Sequence, residues 1–390
     1  MRAPRRPEAE REGLSTTERK RDGPPGEGGP DARGPKDGGG GLSRLELVLL
    51  GAVALVTAIA GVARYSGAIS DVGAFVIAGL ALAGGAWVVS LCTEQLGQRL
   101  GPAVTGFAHS SLGNLPEFFV VIFALQAGQR IVAETAIIGS ILVNALLVLG
   151  LVIITGAWRA KDGVMRFSPR LPNDTATLLL VAVFIIVLIG LAVAAHDPAS
   201  HHVETISIVG SVAILLVYGS WLRQYLRSDR SEPREAARLS LFTTIALLGA
   251  AATQSAFVSD WFIHALQPAI HTLEISKAFA GLVIVVIAGN AVENVTGIVL
   301  AAKGRSELAI SVVKNSVAQI AAFLYPVLVL VSLLTAISLT FALAPVYIGA
   351  LFGMAVIVWQ ITGDGEATLF EGLALVSVFV ILAAVAAFET

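Results

Sequence analysis

Two glutamates lie where the surrounding apolar sequence would bury them in a bilayer. Glu117 sits in Gly113-Asn114-Leu115-Pro116-Glu117, and Glu293 sits in Gly289-Asn290-Ala291-Val292-Glu293. A charged side chain inside a spanning helix costs about 2.5–3.5 kcal/mol on insertion scales, so an intramembrane acid marks an ion or proton pathway. On a helix, Ser110, Asn114 and Glu117 fall at i, i+4 and i+7 and share a face, as do Asn290, Glu293 and Gly297. Gly113, Gly289 and Pro116 loosen the hydrogen-bond ladder there and free carbonyl oxygens for a ligand. Two carboxylates (Glu117, Glu293), two carboxamides (Asn114, Asn290) and backbone carbonyls make an all-oxygen set suited to a hard cation such as Ca2+. Burial and like-charge crowding favour the protonated form of a carboxyl, so protons and metal would compete for the same oxygens. The competing reading is that the acids are interhelical glue.

Further polar residues stand beside these segments. Ser140 and Asn144 form an i, i+4 pair, and Ser316 and Gln319 an i, i+3 pair. Each pair puts polar groups on one helix face, as lining of the pathway or as small residues that permit close packing. Glu94 lies near the end of an apolar run, where it lines an entrance or marks the helix end.

The two glutamate segments belong to an internal repeat. A shift of 176 residues carries Gly113, Asn114 and Glu117 onto Gly289, Asn290 and Glu293. The same shift carries Gly128 onto Gly304 and Ser140 onto Ser316. Polar and glycine positions are scarce in this chain, and these recur without a gap.

The elements that must position them are membrane helices. The chain has 390 residues, of which 55% are hydrophobic and 14% charged, against about 25% charged in soluble domains. Eleven apolar runs are long enough to span, near residues 44–63, 73–92, 104–127, 132–156, 175–195, 204–226, 239–259, 278–302, 308–334, 339–360 and 368–388. The expected fold is therefore all-α and polytopic. Five spans separate equivalent points of the repeat, an odd number, which predicts two inverted five-helix repeats plus one extra N-terminal helix. The divisions are a tail at 1–42, an extra helix at 43–66, a first repeat at 67–227, a linker at 228–238 and a second repeat at 239–390. The tail is rich in Arg, Pro, Glu and Gly and reads as disordered.

With the tail in the cytoplasm, the inner loops hold twelve Lys and Arg residues and the outer loops three, which fits the positive-inside rule. A net charge of −2 makes no case for nucleic-acid binding. Cys92 is the single cysteine, so neither an intrachain disulfide nor a multi-thiolate metal site is available. No His-Glu-x-x-His motif or nucleophile–base pair points to an enzyme. His196, His201, His202, His264 and His271, with Asp197, Glu204, Asp260 and Glu274, gather near outer loops, as cation collectors or as ordinary solvated loops. A turn accounts for Asp364 and Glu366.

Taken together, Thr93-Glu94-Gln95-Leu96-Gly97, the two Gly-Asn-x-x-Glu segments, Gly139-Ser140-Ile141-Leu142 and Asn315-Ser316-Val317-Ala318-Gln319 resemble the Ca2+/cation antiporter superfamily, and within it the Ca2+/H+ exchanger branch. The resemblance implies eleven spans in inverted repeats, Ca2+ exchanged for protons, and Glu117 and Glu293 as shared cation and proton sites, with no resident cofactor. This chain departs from the branch at Lys314 and Asn315, where glycine is usual at 315, and at Asn294, where histidine is frequent. Lys314 would act as a fixed positive charge that weakens divalent binding, or would snorkel to water. The expected function is a Ca2+/H+ antiporter in the plasma membrane. The alternatives are Na+/Ca2+ exchange, Mn2+ or K+ exchange for H+, a channel, or a scaffold that moves nothing.

Overall fold

The computed structural model describes residues 41–100, 112–168, 170–227, 237–335 and 337–389, with all side chains in them other than those at 97, 100, 170–174, 225–227 and 293. All but the end of the tail, most of the 228–238 linker, and the first part of the expected third span lie outside these residues. The described chain is mostly helical. Nine of its helices are long and apolar enough to cross a membrane, and a bent pair, Lys277–Gly289 with Asn294–Ala302, kinked by 61°, makes a tenth if it is counted as one span. The protein is a multi-pass membrane protein.

Helix α1 (Arg44–Ser66) starts at a capping box. Glu46 N–H donates to Ser43 Oγ and Ser43 N–H to Glu46 Oε2, and the helix ends at Gly67 with φ +63°. Leu45, Val48, Leu55 and Val62 on α1 are exposed, as suits a helix that faces lipid. Then follow α2 (Asp71–Leu100), α3 (Leu115–Gln126), α4 (Arg130–Arg159), α5 (Arg170–Ala194) and α6 (Val203–Arg227). The second half comprises α7 (Leu241–Leu273), α8 (Lys277–Gly289), α9 (Ala291–Ala302), α10 (Ser306–Ser332), α11 (Pro345–Thr362) and α12 (Leu369–Ala387).

Two boundaries differ from the expectation. Helix α7 runs on to Leu273, so His264 and His271 lie on a helix and not in a loop. A short antiparallel pair of strands, β1 (Val164–Arg166) and β2 (Glu366–Thr368), joins the α4–α5 loop to the α11–α12 loop. Glu366 is thus a strand residue, held by Arg166, which also pairs with Asp162. The expected local turn does not account for Glu366, because strand pairing across 200 residues leaves no local signature in so short a segment.

The backbone repeats at the same 176-residue offset. Helices α3 and α9 have 12 residues each. Each is followed, one residue past its C-cap, by a glycine of positive φ, Gly128 at +74° and Gly304 at +75°. The next helix starts from Gln129 and from Arg305, both at φ −91°, ψ 60°. Helices α4 and α10 both contain a π turn, at Val143–Val148 and at Ile320–Leu324. Packing follows the same exchange: α2 lies along α7 and α5 along α11, while α3 packs on α7 as α8 and α9 pack on α2. Helix α12 packs on the second part of α4 as α6 packs on the second part of α10. The core is centred on α4 and α10, the most buried of the spans.

Candidate functional site

Asn114 and Asn290 are helix breaks. Asn114 has φ −82°, ψ 4° and is the N-cap of α3; Asn290 has φ −109°, ψ 15°, closes α8 and opens α9. This corrects the expectation that each asparagine lies on the same continuous helix as its glutamate. Glycine before and proline or apolar residues after the asparagine end one segment and start another, with Pro116 in the first turn of α3. The consequence is chemical. Glu117 lies in the first turn of α3, where backbone N–H groups and the helix dipole favour negative charge. Glu293 occupies the matching turn of α9, but its side chain lies outside the described residues, as does Ser110 altogether.

Among the expected ligands, Glu117, Asn114 and Asn290 are buried, 4%, 2% and 2% exposed. Asn290 Nδ2 donates to Ser140 Oγ at 3.3 Å, so a break in the second half touches α4 in the first. Its Oδ1 is buried with no hydrogen-bond donor, which is what a cation-facing carboxamide requires, since an unmatched buried acceptor is otherwise destabilising. Gln319 Oε1 is in the same condition. Ser140, Asn144 and Ser316 are buried too, and Asn144 Nδ2 donates to the Ser140 carbonyl at 2.9 Å, beside the π turn.

Gly113 and Gly289 carry the chain into the two breaks. Gly297 is a packing residue: a Cβ there would come 2.8 Å from Val313 Cγ2 and 3.3 Å from Val152 Cγ2. Glu94 is exposed, and its neighbour Gln95 has the structural role. Gln95 Oε1 accepts from the N–H groups of Arg238 and Leu239, at 2.9 and 3.2 Å, fastening α2 to the start of α7.

Two features were not anticipated from sequence. Ser259 on α7 donates to the Pro116 carbonyl at 3.4 Å, placing a third helix beside the first break. Ser255, one turn earlier, is fully buried with no partner for its Oγ. The signal available was weak: two serines at i, i+4 in a long apolar helix. The second feature is the crossing of α4 with the π turn of α8 (Ala280–Val285). A Cβ on Gly139 would lie 2.5 Å from the Leu282 carbonyl oxygen, and one on Gly281 would lie 2.0 Å from Thr135 Oγ1. Here the small residues serve close packing.

A cavity of about 680 Å³ opens at the Arg130 end of α4, lined among others by Glu134, His271, Glu274, Tyr347 and Glu389. Of the outer-loop histidines and acids singled out in the sequence, His271 and Glu274 line it. Lys314 does not reach water. It is 4% exposed, and its Nζ donates to Thr362 Oγ1 at 2.6 Å. The snorkelling alternative fails because the side chain turns to the end of α11 instead of the helix terminus.

Comparison with known proteins agrees with this picture. The family model described as sodium/calcium exchanger protein matches residues 70–223 and 243–388. A vacuolar calcium ion transporter of Schizosaccharomyces pombe is 30% identical over 320 residues, covering 79% of this chain and 77% of the relative. The Ca2+/H+ antiporter ChaA of Bacillus subtilis is 29% identical over 302 residues, 75% of this chain and 85% of the relative. Among solved structures, native YfkE superposes with a TM-score of 0.72 at 24% identity, covering 87% of this chain and 99% of that one. The H+/Ca2+ exchanger CAX gives 0.69 at 14% identity, covering 88% and 92%. With most of both halves matched by one family model, the chain belongs to the sodium/calcium exchanger protein family.

Proposed function

We propose that the chain is a secondary active antiporter exchanging Ca2+ for H+, with Glu117 and Glu293 as the groups occupied alternately by metal and protons. The observation that carries this reading is the matched pair of Asn-led helix breaks, one of which reaches across to Ser140 of the other half. Asn114 and Asn290 supply neutral oxygens to the cation, and Ser140, Ser316, Asn144 and Gln319 flank it. Relatives that carry the names Ca2+/H+ antiporter and vacuolar calcium ion transporter support calcium as the cargo.

The mechanism follows from the chemistry of the set. Ca2+ takes six to eight oxygens, and two carboxylates neutralise its charge inside the bilayer. Without the metal, two crowded acids in a low-dielectric site take up protons. Either load leaves the site neutral, and the half-loaded site is the costly one to move. That coupling yields exchange. The division into residues 67–227 and 239–390, inverted about an axis in the membrane plane, is supported by the recurring backbone and by the exchanged packing. The excess of Lys and Arg in alternate loops supports a cytoplasmic N-terminus, and the plasma membrane is the location this reading assigns.

The test is Ca2+-driven proton movement in vesicles reconstituted with the full chain, with Na+, K+ and Mn2+ as parallel arms. Saturable Ca2+/H+ exchange, lost in Glu117→Gln and in Glu293→Gln, is expected. Exchange of Ca2+ with Na+ and not with H+ would replace this reading by sodium/calcium exchange. Normal exchange in either variant would remove the role assigned to that residue.

A further inference from the structure

Hydroxyl groups inside spanning helices commonly turn back on their own backbone. Thr135, Thr155, Thr244, Thr253, Thr296 and Ser377 do so here, each donating to the carbonyl four residues earlier at 2.7–2.9 Å. Ser255 and Ser259 of α7 do not. Ser259 gives its proton to the Pro116 carbonyl of α3. Ser255 is 0% exposed, and its Oγ has no hydrogen-bond partner among the described residues. An unmatched buried hydroxyl is destabilising unless something else is to meet it.

Contacts along α3 and α7 fix the level of that oxygen. The two helices run in the same direction: Pro116 meets Ser259, and further on Ala127 and Gln129 share a cavity wall with His264 and His271. Before Pro116, Leu112 packs in one apolar cluster with Ala251. Ser255 is midway between Ala251 and Ser259, as Asn114 is midway between Leu112 and Pro116. It therefore stands level with the first break. Pro116 has no N–H, so the Leu112 carbonyl there has lost the donor that an unbroken helix would give it.

Helix α2, on the other side of α7, offers Ser255 no side-chain acceptor. Gln254 marks the facing stretch: its Nε2 donates to the Ala81 carbonyl at 2.8 Å, and a Cβ on Gly85 would lie 2.0 Å from its Oε1. Residues 79–87 contain no hydroxyl, amide or carboxyl side chain. The same stretch shows that a break does not require a hydroxyl beside it. A Cβ on Gly79 would lie 3.8 Å from Ala288, the residue that the 176-residue shift matches to Leu112. Helix α2 thus flanks the second break with glycine and alanine, where α7 flanks the first with two serines.

We propose that Ser255 is a ligand of the transported cation, a neutral oxygen that α7 adds at the first break to those of Asn114 and Glu117. The proposal rests on the antiporter reading given above. A hydroxyl has two lone pairs, so it can face a cation in one loaded state and accept from a protonated carboxyl in the other. An oxygen suits a hard ion such as Ca2+, and a thiol in its place suits a softer one.

The experiment measures the half-saturating Ca2+ concentration, and the Cd2+ concentration that halves Ca2+ uptake, in vesicles bearing the full chain. Cys92 packs in the cluster of Ala251, so Cys92→Ala is the background and an introduced thiol is the only one. Ser255→Ala should raise the half-saturating Ca2+ concentration about tenfold, the scale of one polar contact to a charge. Ser255→Cys should raise it as well and make Cd2+ at least about tenfold more potent, a gain that a packing defect would not produce. Unchanged Ca2+ saturation in Ser255→Ala, or unchanged Cd2+ potency in Ser255→Cys, would overturn the proposal. Should Ser255→Ala fail to insert, Ser255→Cys still decides through the opposite shifts of the two ions. A parent chain with no saturable Ca2+/H+ exchange would instead sink the underlying reading, before any variant is compared.

Discussion

The α3–α4 segment and the α9–α10 segment have nearly one backbone and two different chemistries. Their helices are equally long, their glycine turns agree within a degree in φ, and both carry a π turn. Their side chains diverge at matched positions. Phe118, Ile138, Gly139 and Val143 of the first correspond to Asn294, Lys314, Asn315 and Gln319 of the second. The carboxamide oxygens of Asn294, Asn315 and Gln319 are buried without donors. The Gly-Asn-x-x-Glu segments are duplicated, whereas these three unmatched carboxamide oxygens all belong to the second half.

The largest expected effect tests the duplicated part. Glu117→Gln and Glu293→Gln should each lower Ca2+/H+ exchange by about a hundredfold or more, because each removes one of two charges opposing the metal. Similar losses in the two variants would support equivalent roles, and a loss in only one would break the comparison. Next comes Asn290→Ala, which removes the oxygen proposed to face the cation and the contact to Ser140. Calcium affinity should fall about tenfold, the scale of one well-placed polar contact to a charge.

Gly139→Ala sets the halves against each other through stability. Its Cβ would meet the Leu282 backbone, so α4 and α8 must separate, at a cost of about 1–3 kcal/mol. A lowered Tm of the purified chain is expected, while Asn315→Ala at the matched position should leave Tm nearly unchanged. The smallest effect concerns the strand pair. Arg166 holds the exposed Asp162 carboxyl below the usual carboxylate range through a hydrogen bond. The stability this adds is present at neutral pH and lost as pH falls through the lowered value. Arg166→Ala should lower Tm less than Gly139→Ala, and the difference should vanish in acid; a large, pH-independent fall would assign the strands a greater role.

Much of this was legible in the sequence. Apolar runs fixed the helical, polytopic class, since only closed hydrogen bonding survives in lipid. The 176-residue register located both breaks, because Gly-Asn pairs are conspicuous against Ala, Val and Leu. What escaped was the geometry of the breaks themselves. Helical spacing put Asn114 and Glu117 on one face, yet the chain turns at the asparagine and α3 starts afresh. Ser259 was missed because a serine in an apolar helix has no sequence partner, and its acceptor, the Pro116 carbonyl, lies 143 residues away. The seat of Lys314 was equally hidden: whether a lysine runs to water or to a hydroxyl depends on which helix end stands beside it, and Thr362 is 48 residues further on.

The claim on which the account turns is that metal and protons contend for one pair of carboxyl groups. Counting the protons released as Ca2+ binds to the purified chain, in weakly buffered solution at several pH values, tests it most directly. The account predicts release that grows as pH is lowered toward the range where the acids are protonated, and that disappears in the Glu117→Gln, Glu293→Gln double variant. Tight Ca2+ binding by the parent chain with no proton release at any pH would contradict it.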